Sequence, residues 1–335
     1  MADRKKDHIE LAFQSQTLPR DLDGRFNYEP LLNSHPDIDT GSEPFPFLGK
    51  TQRVPLWVSS MTGGTKLAKT INTNLARVCG EFGFGMGLGS CRPLLDDDAY
   101  IGDFDVRDLI GDDMPFYANL GIAQIEKMIA SDELDKIKAL LDKLRADGLI
   151  IHVNPLQEWL QPEGDRLHYP PVETLKKVLD HFSFPVVVKE VGQGMGPESI
   201  RELLKLPIQA VEFAAFGGTN FAKVELGRND EMKQQHLESL AYVGHTAEEM
   251  TDMVNRIVKD EKSVACKEII ISGGIKSFLD GYYLIRKSRL PAIYGQASSF
   301  LKFARESYED LYSYVDYQVK GIKLAYQYLT LKDTE

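Results

Sequence analysis

Apolar residues in this chain fall into short runs of four to six residues: Pro55–Ser60, Phe84–Gly89, Phe116–Asn119, Leu149–Asn154, Pro185–Glu190, Ala210–Ala215, Glu268–Ser272 and Ala292–Gly295. Continuous runs of this length are what strands buried on both faces require. Between them lie stretches with helical patterning: Thr65–Phe82, Ile122–Ala146, Val172–His181, Glu198–Leu204, Ala247–Val258, Lys276–Lys287 and Ser299–Tyr314. Eight strand-and-helix units in order predict parallel crossovers and an α/β fold, a single closed (β/α)8 TIM barrel. A doubly wound open sheet is the alternative. Residues 1–54 form an N-terminal extension that wraps the barrel or a neighbouring subunit, and 55–335 form the barrel domain. The segment Asn220–Gly244 after the sixth strand is charged and long, and is read as an irregular loop serving as a lid.

Nearly every apolar run ends in polar or glycine-rich sequence, which is where a barrel of this type carries its chemistry. Leu149–Glu158 is the most informative case: an apolar strand delivers His152, Asn154, Gln157 and Glu158, and Pro155 stops the ladder. Ser272-Gly273-Gly274 and Gly295-Gln296-Ala297-Ser298 follow strands seven and eight, the positions where barrels bind phosphate through backbone N–H groups. Lys189, ending strand five, suits a Schiff base, an anion partner or an ion pair, and the residues alone leave the three open. Gly83, Gly85, Gly87 and Gly89 alternate with bulky residues, so one strand face is bare. That face receives either a flat ligand or tightly packed barrel side chains. Glu158, with Asn154 and Gln157, offers the oxygen ligands that Mg²⁺ takes beside a substrate phosphate. Arg4, Lys5 and His8 lie on one N-terminal stretch that is either a solvated helix face or an arm for an anionic substrate.

Composition narrows the function. A formal net charge of −11 over 335 residues argues against nonspecific nucleic-acid binding, because Lys and Arg provide most of that affinity. Cys79, Cys91 and Cys266 form no CxxC pair, which fits a reducing compartment and excludes a disulfide framework. Met1–Glu10 is charged where a signal peptide needs an apolar stretch, and no run of about 18 apolar residues occurs. The expectation is a soluble, cytoplasmic protein without a membrane partner. There is no GxGxxG, since Pro197 occupies the last position of the one near-match.

In order and spacing, these motifs resemble the type 2, FMN-dependent isopentenyl-diphosphate isomerase family. The match runs from Arg4-Lys5-Lys6-Asp7-His8 through Met61-Thr62-Gly63-Gly64, Gly89-Ser90-Cys91-Arg92, Ala118-Asn119-Leu120-Gly121, His152–Glu158, Val188–Gly192, Gly217-Gly218-Thr219 and Ser272-Gly273-Gly274 to Gly295-Gln296-Ala297. The resemblance implies that Met61, Thr62, Ser90, Asn119, Lys189, Thr219, Gly273, Gly274, Ala297 and Ser298 hold FMN. It also implies that Arg4, Lys5, His8, Ser90, Arg92, His152, Asn154 and Gln157 surround an allylic diphosphate, and that Glu158 binds Mg²⁺. Gln157, Lys189 and His152 are the implied catalytic group, NADPH the reductant of the flavin, and a homo-oligomer (tetramer or octamer) the assembly. The chain departs from the family's pattern at Cys91, where Gln is usual, at Lys276, where Arg is common, and at Asn220-Phe221, which replaces a Ser/Thr-Trp pair.

Rival readings remain. A 2-hydroxy-acid oxidase needs a His base with Arg after a late strand, yet no histidine lies between Ser272 and Ser299. A nucleotide dehydrogenase with a cysteine nucleophile would carry it after strand six, whereas Cys91 follows strand two. An aldolase using Lys189 and a noncatalytic flavin-binding barrel complete the alternatives.

Overall fold

Eight parallel strands close into a barrel in the computed structural model, which describes residues 2–37, 43–60, 67–228 and 231–332. They are β1 (Leu56–Val58), β2 (Gly85–Gly87), β3 (Phe116–Gly121), β4 (Gly148–His152), β5 (Val186–Lys189), β6 (Ala210–Glu212), β7 (Glu268–Ser272) and β8 (Ala292–Gln296). Each pairs in parallel with its neighbours in sequence, and β8 closes onto β1 through Tyr294↔Leu56. All eight coincide with the expected runs to within three residues at either end, the largest difference being β6, which ends at Glu212 and not Ala215. Each is covered outside by helices and inside by side chains, so neither face tolerates alternating polarity.

The barrel interior is layered. Trp57, Tyr117, Ile150, Val187, Ala210, Ile270 and Ile293 form one apolar cluster, closed below by Phe47 and Leu48. Those last two come from an antiparallel hairpin, Phe45–Phe47 with Lys50–Gln52, that plugs the foot. The remaining strand, β2, contributes no side chain to this layer because it presents glycine. A Cβ on Gly85 would lie 2.6 Å from the Trp57 ring and 2.7 Å from the Pro115 carbonyl oxygen. Of the two readings of the glycine row, packing therefore explains Gly85 and Gly87: the bulk of Trp57 and Ile150 fills their face.

Side chains along a strand alternate faces, so the residue two beyond each of these points inward one layer higher. That set is Ser59, Gly87, Asn119, His152, Lys189, Glu212, Ser272 and Gly295. The apolar plug thus carries a polar or glycine layer directly above it, at the carboxyl ends of the strands.

Three expected elements differ. The helix expected over Ile122–Ala146 is two, Ile122–Ala130 and Asp135–Leu144, broken where Asp132 takes a left-handed φ of 58°. The helix expected over Ser299–Tyr314 is also two, Ser298–Ala304 and Tyr308–Tyr328, the second started by Ser307, whose hydroxyl accepts the Asp310 N–H. The segment expected as an irregular loop after β6 is helical: Phe221–Gly227, Glu231–Leu237 and a 3₁₀ turn at Glu238–Tyr242. Asn220 caps the first helix, and Ala222, Leu226 and Ala241 bury against Leu160. Capping and a small apolar cluster outweigh the polar composition that suggested a loop.

The N-terminal segment joins the body through Phe26–Tyr28, antiparallel to Leu329–Leu331. Before it, every described side chain from Arg4 to Asp23 is exposed, including the helix Ala2–Ala12 from Arg4 on. Among the described residues no helix is long and apolar enough to cross a membrane.

Gly85→Ala should destabilise the protein by about 1–3 kcal/mol, the usual effect of overpacking a close-packed interior. Urea unfolding checks this; an unchanged midpoint would mean that the Trp57 layer is not packed against β2 as described.

Candidate active site

Placing polar side chains on top of an apolar plug removes them from water, so each must find a partner or await one. Asn119 is buried and donates through Nδ2 to the Leu88 carbonyl oxygen at 3.0 Å, which turns its Oδ1 toward His152 Nδ1, 2.8 Å away. With Oδ1 an acceptor, Nδ1 carries the hydrogen and a neutral ring leaves a lone pair at Nε2. Burial, reinforced by the Lys189 charge, pushes the imidazole down to about 3. Lys189 is buried, and its amine donates to the Glu190 carbonyl oxygen at 2.8 Å. In register beside it on β6 is Glu212, fully buried, whose Oε1 accepts the Ser272 hydroxyl at 3.2 Å.

Above this floor a groove of about 240 Å³ opens across the ends of β5 to β8 and β1. Its walls include Lys189, Gly217, Gly218, Thr219, Gly273, Gly274, Ala297 and Ser298. Gly217 (φ 115°) and Gly273 (φ 89°) hold conformations that side chains disfavour. A Cβ on Gly217 would lie 3.2 Å from the Gly274 Cα, and one on Gly273 would overlap the Ala215 backbone. The two loops therefore meet backbone to backbone, leaving main-chain N–H groups as the wall. Ser59 and Ser60 line the same groove with buried hydroxyls that lack a hydrogen-bond partner. A glycine wall, a cation and orphaned hydroxyls fit a flat ring carrying a phosphate.

Beside the groove, Asn154 and Pro155 turn β4 into a short helix, Pro155–Leu160. Asn154 Nδ2 donates to Gln157 Oε1 at 3.0 Å and to Glu158 Oε1 at 3.2 Å, while its own Oδ1 is buried without a partner. Glu158 Oε2 accepts the Asp165 N–H at 2.8 Å. Gln157 Nε2 donates to Glu225 Oε1 at 3.2 Å, and Arg228 pairs with the other oxygen of Glu225 at 2.7 Å. The carboxylate of Glu158 beside the orphaned Asn154 oxygen fits Mg²⁺ shared with a diphosphate. Among the described residues no three His, Cys, Asp or Glu side chains converge as a metal cage.

Six of the expected cofactor residues line the groove: Lys189, Thr219, Gly273, Gly274, Ala297 and Ser298. Asn119 lies under the rim holding His152, and Ser90 is exposed on the loop after β2. Met61 and Thr62 lie outside the described residues. Among the expected substrate residues, His152, Asn154 and Gln157 share one rim, and Arg92 reaches it through Asp165, 3.8 Å away. Arg4, Lys5 and His8 are not brought to the mouth; their helix stands in solvent. Sequence reasoning missed Glu212, Glu225, Ser59 and Ser60. Burial pushes the Cys91 thiol up to about 12, so it is no nucleophile.

The fold is a (β/α)8 barrel, an architecture whose enzymes carry their sites at the carboxyl mouth, where the groove lies. No family model matches the chain, but curated relatives do. It is 34% identical over 325 residues to the isopentenyl-diphosphate delta-isomerase of Rickettsia peacockii (strain Rustic), covering 96% of this chain and 92% of that protein. It is also 34% identical over 305 residues to the enzyme of that name from Rickettsia prowazekii (strain Madrid E), covering 90% and 86%. The chain belongs to the isopentenyl-diphosphate delta-isomerase family. Solved structures share the fold at low identity. The flavin-binding domain of baker's yeast flavocytochrome b2 superposes with a TM-score of 0.58 at 15% identity over 90% of this chain and 70% of that one. A mandelate oxidase mutant with (S)-mandelic acid gives 0.57 at 13% over 93% and 87%.

A histidine held neutral by the fold stabilises it fully above the unfolded pKa near 6.5 and progressively less as pH falls toward 3. Nitrogen NMR of labelled histidine should show His152 untitrated at pH 5, and His152→Gln should flatten the loss of stability between pH 7 and 5. A His152 titration near 6.5 would contradict the burial described.

Proposed function

We propose that the protein interconverts isopentenyl and dimethylallyl diphosphate by an allylic proton shift, with FMN in the groove and Mg²⁺ at Glu158. What carries the reading is the meeting of Lys189, His152, Asn154, Gln157 and Glu158 at one rim, in a chain 34% identical to isomerases of that name along 96% of its length.

Moving a double bond one position requires a proton on one alkene carbon and loss of another, with no net redox change. Positive charge develops on carbon between the two events, and water would trap it. The site must therefore be dry and anionic near the hydrocarbon. Reduced FMN, when bound, supplies an electron-rich ring that carries protons beside the alkene. Lys189, an ammonium on the groove floor, favours negative charge in whatever ring lies over it. The glycine wall formed by the loops after β6 and β7 takes the cofactor's phosphate through main-chain N–H groups.

At the other side, Arg92, His152 and Asn154 bind the substrate diphosphate. A phosphate oxygen accepts hydrogen bonds only, so diphosphate at His152 Nε2 draws a proton onto that atom. The ring then bridges Asn119 and the anion. Glu158 would hold Mg²⁺, which would supply charge neutralisation for the diphosphate. Gln157, oriented by Asn154 and Glu225, positions substrate and is itself a poor acid. This remote binding fixes the alkene over the floor. Reduction of the flavin by NADPH, a homo-oligomeric assembly and a cytoplasmic location belong to the same reading, with Arg4, Lys5 and His8 brought to the diphosphate by movement of the N-terminal helix or by a second subunit.

Incubation with isopentenyl diphosphate, FMN, NADPH and Mg²⁺ in deuterated water should place deuterium in dimethylallyl diphosphate, seen by NMR; unlabelled substrate recovered without product would overturn the reading. Glu158→Gln should raise the Mg²⁺ concentration needed for turnover by about 10–100-fold while FMN stays bound. Loss of FMN instead would show that Glu158 belongs to the cofactor site.

A further inference from the structure

The mechanism above leaves unused the one carboxyl that is fully buried among the described residues. Glu212 is fully buried in the inner polar layer, in register with Lys189 across the β5–β6 ladder and on the same inward face. Its Oε1 accepts the Ser272 hydroxyl at 3.2 Å, while Oε2 has no hydrogen-bond partner. The Ser59 hydroxyl, just past β1, and the Trp57 N–H of β1 also face the carboxyl and favour its charged form, though neither completes a well-formed hydrogen bond to it. Lys189 is the one cation facing it, and that amine is spent on the Glu190 carbonyl rather than on Glu212. Two strands away, His152 is neutral at ordinary pH. Lower on β7, Glu268 is held at the barrel foot by the Leu48 N–H at 3.1 Å and Gln209 at 2.7 Å.

A carboxylate with a bare oxygen is costly in a dry site unless a nearby positive charge offsets it. Here the offsetting charge is Lys189, which also lines the groove floor together with Ser59 and Ser272. Whatever ring lies on that floor competes with Glu212 for the same cation. A neutral ring leaves Lys189 to the carboxylate. An anionic ring takes the lysine's field, and the carboxylate, left uncompensated, becomes a neutral acid. We infer that Glu212 is a positioning residue that acts through Lys189: ionised while the groove holds a neutral ring, it takes up one solvent proton when the ring is anionic. The step is Glu212–COO⁻ + H⁺ → Glu212–COOH; no electron moves on the protein. Burial does push this carboxyl upward, in keeping with such a switch.

The inference rests on the flavin reading, so its test measures flavin binding, not turnover. Dissociation constants of oxidised FMN and of dithionite-reduced FMN are measured anaerobically for the wild type and Glu212→Gln, together with the proton uptake on binding by calorimetry in two buffers. The reduced flavin's own ionisation is common to both proteins and cancels in the comparison. At pH 8 the ratio of oxidised to reduced dissociation constants should be at least tenfold larger in Glu212→Gln, a rise of about 30 mV in the bound two-electron potential. The wild type should take up about one more proton with reduced than with oxidised FMN, a difference that Glu212→Asp keeps and Glu212→Gln loses. Equal ratios and equal proton uptake in wild type and Glu212→Gln would overturn the inference. Should Glu212→Gln fail to fold, wild-type uptake decides alone, and equal uptake with the two flavins overturns it. Failure of wild type to bind either flavin would instead overturn the proposed function.

Discussion

A single constraint organises this molecule: polar side chains stand in a closed barrel directly above an apolar plug. The strands' two-residue period lifts Ser59, Asn119, His152, Lys189, Glu212 and Ser272 from the same backbones that bury Trp57, Tyr117, Ile150, Val187, Ala210 and Ile270. Nothing below can solvate the upper set, so it must be satisfied sideways or from above. Asn119 and His152 are satisfied sideways. Ser60 is not, Ser59 and the second oxygen of Glu212 face one another without a well-formed hydrogen bond, and both serines line the groove. The groove at the mouth is the open side from which the layer can still be reached.

The same constraint explains the charge states. His152, half-buried, is held neutral by withdrawal from most of its water and by the nearby Lys189 charge, not by a dedicated partner. It can therefore receive a proton when an anion arrives, while Asn119 fixes which nitrogen faces that anion. The helical excursion after β6 adds a second line of support. It brings Glu225 to Gln157 and shares an apolar cluster with Leu160 on the helix that carries Gln157 and Glu158. Gln157 and Glu158 are thus braced from two crossovers, which fixes their geometry.

Much of this was legible in the sequence. The eight strands were, because parallel strands covered on both faces leave uninterrupted apolar runs, and part of the groove was, because Ser272-Gly273-Gly274 and Gly295-Gln296-Ala297-Ser298 follow strands seven and eight, where barrels bind phosphate, and both turns line it. Glu212 was not: between Val211 and Phe213 it reads as a lone charge at a strand's end, and only the register with Lys189 gives it meaning. Glu225 was hidden because its helix sits in a stretch whose composition suggested a loop. The plugging hairpin at Phe45–Gln52 and the pairing of Phe26–Tyr28 with Leu329–Leu331 depend on contacts across long sequence separations, which no local pattern reports.

The central claim is that the polar layer is the floor of a flavin site and that the diphosphate binds at the neighbouring rim. A crystal structure with FMN and isopentenyl diphosphate tests it most directly. The account predicts the flavin ring over Lys189, its phosphate against Gly217, Gly218, Gly273 and Gly274, and the diphosphate at His152 and Asn154. A flavin bound away from Lys189, or a diphosphate in the glycine-walled groove, would contradict it.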